Sequence, residues 1–192
     1  MLTNQTAAAY DELSAFARDL LTLDQDSAYG RLVVEGSGNA TAGQKLRGAT
    51  AEQLFKSPPR QPRNAQLVMA GLWLWHDWLD ESHRIAQQIE TPDGSYWHAI
   101  MHRREGDFSN SKYWLARCRG HMTGDEIARR VMATPALAAV NAVASRGWDP
   151  SALVDLAQEV HDAPDDSRYG AVVSLQRIEW RVLFDHCVAG AR

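Results

Sequence analysis

Histidines are concentrated in one part of this sequence. The segment from Trp73 to His121 contains five of the seven histidines and five of the seven tryptophans, interspersed with acidic residues and arginines. Histidine titrates near neutral pH and is a common metal ligand, so a cluster of histidines with acids nearby indicates a functional site. The sequence therefore predicts where this protein acts more clearly than what it acts on.

Three polar residues of this segment share a predicted helix face. Hydrophobic periodicity predicts one long helix from Asn64 to about residue 90, on which His76, Asp80 and His83 follow one another at steps of four and three. This polar row lies beside the apolar stripe of the same helix. Because buried polar groups without partners are costly, the row is expected to face a cavity or another polar element.

A second polar row follows on the next predicted helix. His98, His102 and Glu105 are spaced by four and three residues, and two imidazoles one helical turn apart can bind a single ion. The segment HAIMH lacks the glutamate of the HExxH motif, so the sequence does not predict the metalloprotease mechanism.

The two rows are expected to face each other. A five-residue turn, 91–95, joins their helices, and such short connections place helices side by side. His98 and His102, completed by His76, Asp80 or His83, would then bind zinc, iron or manganese with a position left open for water. A metal-bound water is a nucleophile at neutral pH, which predicts hydrolysis of a small polar or anionic substrate.

Neighbouring side chains supply the remaining predicted roles. Glu105 or Asp107 is the predicted general base. The predicted ligand-binding residues are three cations that would hold an anionic group and one aromatic wall: Arg103, Arg104, Lys112 and Trp97.

Two other interpretations stay open. In the first, the protein binds a small anionic molecule without metal, using tryptophans, histidines and arginines of the same segment. In the second, it is an interaction protein whose histidines are structural and whose long helix forms a homodimer seam through Trp73 and Trp78.

The histidines outside these rows carry weaker signals. His121 follows Cys118 by three residues, which is a weak pattern for a ligand pair. His161 and His186 are predicted to be structural, although His186 extends the apolar face of the last helix and is placed to reach the same cavity.

Composition excludes several classes of protein. The 192 residues are 45% hydrophobic and 23% charged, and the net charge of −4 argues against nucleic-acid binding. Two cysteines are too few for a disulfide framework, and the N-terminus does not resemble a secretory signal. The longest apolar run, 67–75, is too short to cross a membrane. We therefore expect a cytoplasmic protein with reduced thiols.

Helix signals dominate the chain and predict an all-α, single-domain bundle of about seven or eight helices with long irregular loops. Prolines near residue 60 separate an N-terminal helix with a glycine- and proline-rich arm (1–62) from the main helical body (63–192). A capping box, Thr123 with Glu126, predicts the start of one helix. Further helices are predicted over 6–22, 135–146, from Pro150 onward, and over 168–188.

The stretch DESHRIAQQIETPDGSYWHAIMHRREGDFSNSKYW resembles a family of small, uncharacterised bacterial proteins with no assigned activity. The resemblance covers about a fifth of the chain. It implies no catalytic residue, cofactor or substrate.

Overall fold

The computed structural model describes residues 9–192 and confirms the all-α prediction. Nine α-helices lie wholly within that range, slightly more than predicted, and the range contains isolated β-bridges but no strand. The helices are α1 (Ala15–Thr22), α2 (Ala40–Arg47), α3 (Pro62–Trp75), α4 (Leu79–Ala86), α5 (Pro92–Glu105), α6 (Phe108–Arg117), α7 (Gly124–Met132), α8 (Pro150–Val160) and α9 (Tyr169–Gly190). Three short 3₁₀ helices are Ala51–Leu54, Pro135–Leu137 and Asn141–Ala144.

Helix α5 runs through the middle of the molecule. Every residue from Gly94 to Arg104 is buried, polar ones included. Such a helix must satisfy its polar side chains internally, because burial without partners costs free energy. Helices α3, α4 and α6 surround it, and the 22-residue helix α9 contributes a second buried surface.

The predicted continuous helix from Asn64 to about residue 90 is wrong, because the chain turns between α3 and α4. Asp77 adopts a left-handed conformation with φ 64°, which ends α3 and starts a new direction. Its carboxylate accepts hydrogen bonds from Arg31 (2.8 Å) and Arg104 (2.7 Å). These tertiary contacts hold a backbone conformation that hydrophobic periodicity does not reveal.

The N-terminal region shares its core with the rest of the molecule. Leu13, Leu20 and Leu54 are almost fully buried in the same hydrophobic cluster as the later helices. The predicted glycine- and proline-rich arm contains α2, which Asn39 caps by accepting a hydrogen bond from the backbone of Ala42. The start of the predicted N-terminal helix, 6–8, lies outside the described residues; the helical turn that continues it breaks before Ser14, which caps α1.

One helix predicted in the second half is wrong, since the segment 135–146 forms two short 3₁₀ segments instead. The predicted helix start at Thr123 is confirmed, because α7 begins at Gly124. The predicted capping box does not form there, because the Thr123 hydroxyl pairs with His121. Helices α8 and α9 form as predicted, α8 with Pro150 in its first turn. Across residues 9–192, no helix combines the length and apolar character needed to cross a membrane.

Candidate metal centre

The turn before α5 sets the position of its histidines. Thr91 caps α5 by accepting a hydrogen bond from the backbone of Gly94 (3.1 Å), so the helix begins within the predicted turn, 91–95. A Cβ at Gly94 would lie 2.0 Å from the carbonyl oxygen of Ile89, so the tight approach of the α4–α5 connection requires glycine. At its other end α5 stops at Gly106, which has φ +88°.

Three imidazoles converge between α4 and α5. The ring centroid of His98 lies 4.6 Å from that of His83 and 4.6 Å from that of His102, and the His83 and His102 centroids are 5.4 Å apart. One ring nitrogen from each residue lies within 4.8 Å of the others. The structure thus brings together three of the five predicted metal ligands.

His98 occupies the most buried part of this cluster. Its residue is 4% exposed, and neither ring nitrogen has a hydrogen-bond partner among the described residues. Burial and the neighbouring His102 and His83 lower its pKa to about 4, so the imidazole is neutral at pH 7. The indole of Trp114 covers it at a ring distance of 4.0 Å. A neutral, buried imidazole with free nitrogens is the form that binds a metal.

His102 is held by two neighbours. Its Nδ1 lies 2.6 Å from Glu105 Oε1, which accepts the imidazole N–H, while the amide of Asn110 lies 3.1 Å from Nε2. When Nδ1 donates to the carboxylate, Nε2 keeps its lone pair and accepts from Asn110. A carboxylate on the far nitrogen is the usual arrangement around metal-binding histidines, where it fixes the ring and raises its basicity.

His83 lies at the outer side of the cluster and is half-buried. Burial lowers its pKa, and the nearby His102 lowers it further. A second neutral imidazole is thereby available beside His98.

The two predicted general bases differ in their surroundings. Glu105 is exposed and pairs with His102. Asp107 caps α6, since its Oδ1 accepts from the backbone N–H of Asn110 (3.0 Å) and from the Ser109 hydroxyl (3.0 Å). These bonds, the backbone one above all, lower the pKa of Asp107 and favour its charged form. Asp107 nevertheless lies near His102 and Glu105, within 4.8 Å by its carboxylate.

The structure separates the other two predicted ligands from the three-histidine cluster. His76 ends α3, and its Nε2 lies 3.0 Å from the carbonyl oxygen of Leu20, so it joins α3 to α1. Asp80 is exposed in the first turn of α4 and is not part of the cluster. Both positions are corrections. The break between α3 and α4 takes His76 out of the predicted row, whereas Asp80 shares α4 with His83 but lies in the exposed first turn of that helix.

The two predicted anion-binding arginines are fully buried and occupied internally. Arg103 donates to Glu179 Oε2 at 2.5 Å. Arg104 donates to Asp77 (2.7 Å) and to the carbonyl of Leu74 (2.9 Å), and its guanidinium stacks over Tyr29 at 3.8 Å. With zero side-chain exposure, neither can contact a ligand from solvent, which corrects the predicted role.

Lys112 and Trp97 have partners outside the three-histidine cluster. Lys112 forms a surface ion pair with Asp155. Trp97 is completely buried, and its Nε1 donates to the thiol of Cys187 (3.4 Å). Trp97 therefore forms no ligand wall, whereas Lys112 lines a separate cavity together with Tyr96 and Trp148.

The tryptophans of the predicted dimer seam are covered by α2. Trp73 is buried, and Trp78 donates to the carbonyl oxygen of Asn39 (2.8 Å) beneath the guanidinium of Arg47. Contacts within one chain therefore account for both side chains.

Sequence reasoning missed Asn110 as a neighbour of His102. Asn110 lies on α6, and the only sequence signal was the turn GDFSN, which predicts a connection and not a contact with the preceding helix. The role of Trp114 as a cover for His98 also depends on how α6 packs against α5.

Comparison of the chain with protein-family models, with curated proteins and with solved structures gave no match. Its function must therefore be inferred from the side chains of the site.

Proposed function

We propose that the protein binds a divalent transition metal through His83, His98 and His102 and uses it to hydrolyse a small polar substrate. The observation that carries this proposal is the burial of His98 with both nitrogens free of partners, inside a cluster of three neutral or hydrogen-bonded imidazoles. Three nitrogen donors with an open fourth position are typical of catalytic zinc sites.

Each residue has a distinct part in this proposal. The three histidines hold the metal, Glu105 orients His102 through its Nδ1, and Trp114 excludes water from the inner side of His98. When bound, the metal supplies a water of lowered pKa as the nucleophile. The outer rim carries Glu105, Asp107 and Asn110, so the site favours a polar substrate over an anionic one.

A direct test is metal binding by untagged protein. We expect about one equivalent of zinc at the cluster, and His98→Ala should raise the zinc Kd about 100-fold because it removes the innermost donor. His161→Ala is the matched control: His161 pairs with Asp162 on the surface, and its removal should leave zinc affinity unchanged. Equal zinc affinity of the wild type and His98→Ala would overturn the proposal.

Glu105 provides a second prediction. Because Glu105 is exposed, Glu105→Gln should leave the free energy of unfolding nearly unchanged, yet weaken zinc binding about 10-fold to 100-fold by loosening His102. Chelator competition measures the affinity, and urea denaturation measures the stability. A variant that binds zinc like the wild type would show that the carboxylate does not support the ligand.

Hydrolysis is tested separately with zinc-loaded protein and p-nitrophenyl acetate, with p-nitrophenyl phosphate as the anionic comparison. We expect ester hydrolysis that His98→Ala abolishes, and slower hydrolysis of the phosphate because of the two rim carboxylates. Zinc binding without any hydrolysis would reduce the function to metal binding.

A metal-free binding function is favoured by a different feature. A cavity of about 1110 Å³ is lined by Tyr96 and Trp148 with Arg119 and Arg146. Aromatic walls with a few cations suit a small anionic ligand. Quenching of tryptophan fluorescence by such a ligand, unchanged in His98→Ala, would support this second function.

A further inference from the structure

A second group of metal-ligating side chains lies on the opposite face of α5. Asp93 is in the first turn of this helix, about 140° around the axis from His98 at 3.6 residues per turn. His121 from the α6–α7 connection and His186 from α9 both approach its carboxylate. Three separate elements therefore supply one cluster.

The geometry of this second cluster is compact. The Nε2 atoms of His121 and His186 lie 2.8 Å and 3.0 Å from the same oxygen, Oδ1 of Asp93. The two rings meet edge to face with centroids 5.5 Å apart. One donor atom from each residue lies within 4.8 Å of the others, as in the first cluster.

Burial and charge favour a cation at this point. The side chains of Asp93, His121 and His186 are 18%, 6% and 26% exposed. One carboxylate oxygen therefore lies with two imidazole nitrogens at a single, partly enclosed point.

Thr123 holds the His121 ring through the nitrogen that faces away from Asp93. Its Nδ1 lies 2.8 Å from the hydroxyl of Thr123, and Thr123 is 4% exposed. In the arrangement seen here, Nδ1 also accepts the backbone N–H of Thr123 (3.3 Å), while Nε2–H donates to Asp93. A metal on Nε2 requires the other tautomer, in which Nδ1–H donates to the Thr123 hydroxyl, a partner of the kind that supports metal-binding histidines.

We propose that Asp93, His121 and His186 form a second divalent-metal site, separate from the three-histidine cluster and suited to manganese or iron. Two imidazoles with one carboxylate are the donor set of non-haem iron sites with open positions, and the carboxylate favours harder ions than three imidazoles do. His121 also lines the 1110 Å³ cavity, together with Tyr96 and Trp148. A small molecule in that cavity would lie beside the metal.

Manganese titration followed by electron paramagnetic resonance tests this site without any activity assay. We expect one tightly bound manganese in the wild type, and Asp93→Asn or His121→Ala should raise its Kd at least tenfold. The matched control is the surface pair His161 and Asp162, whose double variant His161→Ala/Asp162→Asn should bind manganese like the wild type.

The two metal sites are distinguished by their variants. His98→Ala removes zinc from the first cluster and should leave tight manganese binding in place, so either proposal can fail alone. Asp93 joins three elements, so Asp93→Asn can fail to fold. In that case His186→Gln repeats the test, because the His186 side chain is more exposed than that of Asp93. Wild-type manganese affinity in folded Asp93→Asn, or in His186→Gln, would overturn the second site, as would the absence of tight manganese binding in the wild type.

Discussion

Glu179→Gln is expected to lower the free energy of unfolding by about 3–5 kcal/mol, the usual cost of leaving a buried charge without its partner. Glu179 and Arg103 both have zero side-chain exposure and form an ion pair at 2.5 Å between α9 and α5. The glutamine keeps the shape of the side chain but removes the negative charge, so the Arg103 guanidinium stays buried and uncompensated. Urea denaturation of the two proteins measures the difference.

The charge, and not the volume, should cause this loss. Tyr96 donates to Glu179 Oε1 (3.1 Å) and accepts from Trp148 (2.7 Å). Tyr96→Phe removes both hydrogen bonds but leaves the ion pair in place, so it should cost about 2 kcal/mol, less than Glu179→Gln. The double variant Arg103→Met/Glu179→Met removes both charges and should be more stable than Glu179→Gln. A loss below about 1 kcal/mol in Glu179→Gln would contradict this account of the pair.

Acidification from about pH 6.5 to about pH 4.5 should destabilise the fold by several kcal/mol. Burial lowers the pKa of His98 from 6.5 to about 4. Between these pH values the His98 imidazole is protonated in the unfolded chain but neutral in the folded protein. Its contribution is fully present above pH 6.5 and falls by about 1.4 kcal/mol per pH unit below it, on the order of 3 kcal/mol by pH 4. Burial also lowers the pKa values of His76 and His83, which act in the same direction.

One variant measures how much of the acid-induced loss of stability is due to His98. His98→Leu cannot take up a proton in either state, so its stability should fall less between about pH 6.5 and pH 4.5 than that of the wild type, when both are measured by urea denaturation without metal. Added zinc should protect the wild type but not the variant, because it competes with protons for the imidazole. Parallel pH curves for the two proteins would show that His98 does not cause the acid loss.

The first cluster was largely predictable because its residues are local in sequence. His98 and His102 are one turn apart on a single helix. The connection from α4 is short, so α4 packs beside α5 and places His83 close to them. The prediction of His76 as a ligand was wrong because Asp77 turns the chain through a left-handed conformation, whereas Asp80 stays on the helix of His83 but lies in its exposed first turn. The Asp77 carboxylate is held in this turn by Arg31 and Arg104, which are distant in sequence, so local spacing could not predict the turn.

The arginines show why residue type alone misassigns a role. Arg103 and Arg104 follow the metal-binding row directly, which made them natural candidates for substrate binding. On a helix, however, neighbours point about 100° apart, so His102 faces α4 while the next two side chains face Glu179 and Asp77. Their partners lie on other elements, and no spacing within the segment indicates them.

Periodicity and local spacing are properties of contiguous residues, so they were enough to predict an all-α protein and the helix with its densest chemistry. The side chains that meet were set by the tertiary fold. It placed His76 against α1, buried the two arginines in ion pairs, and gathered Asp93, His121 and His186 from three elements. Such meetings depend on how helices pack, which is set by contacts between residues far apart in the chain.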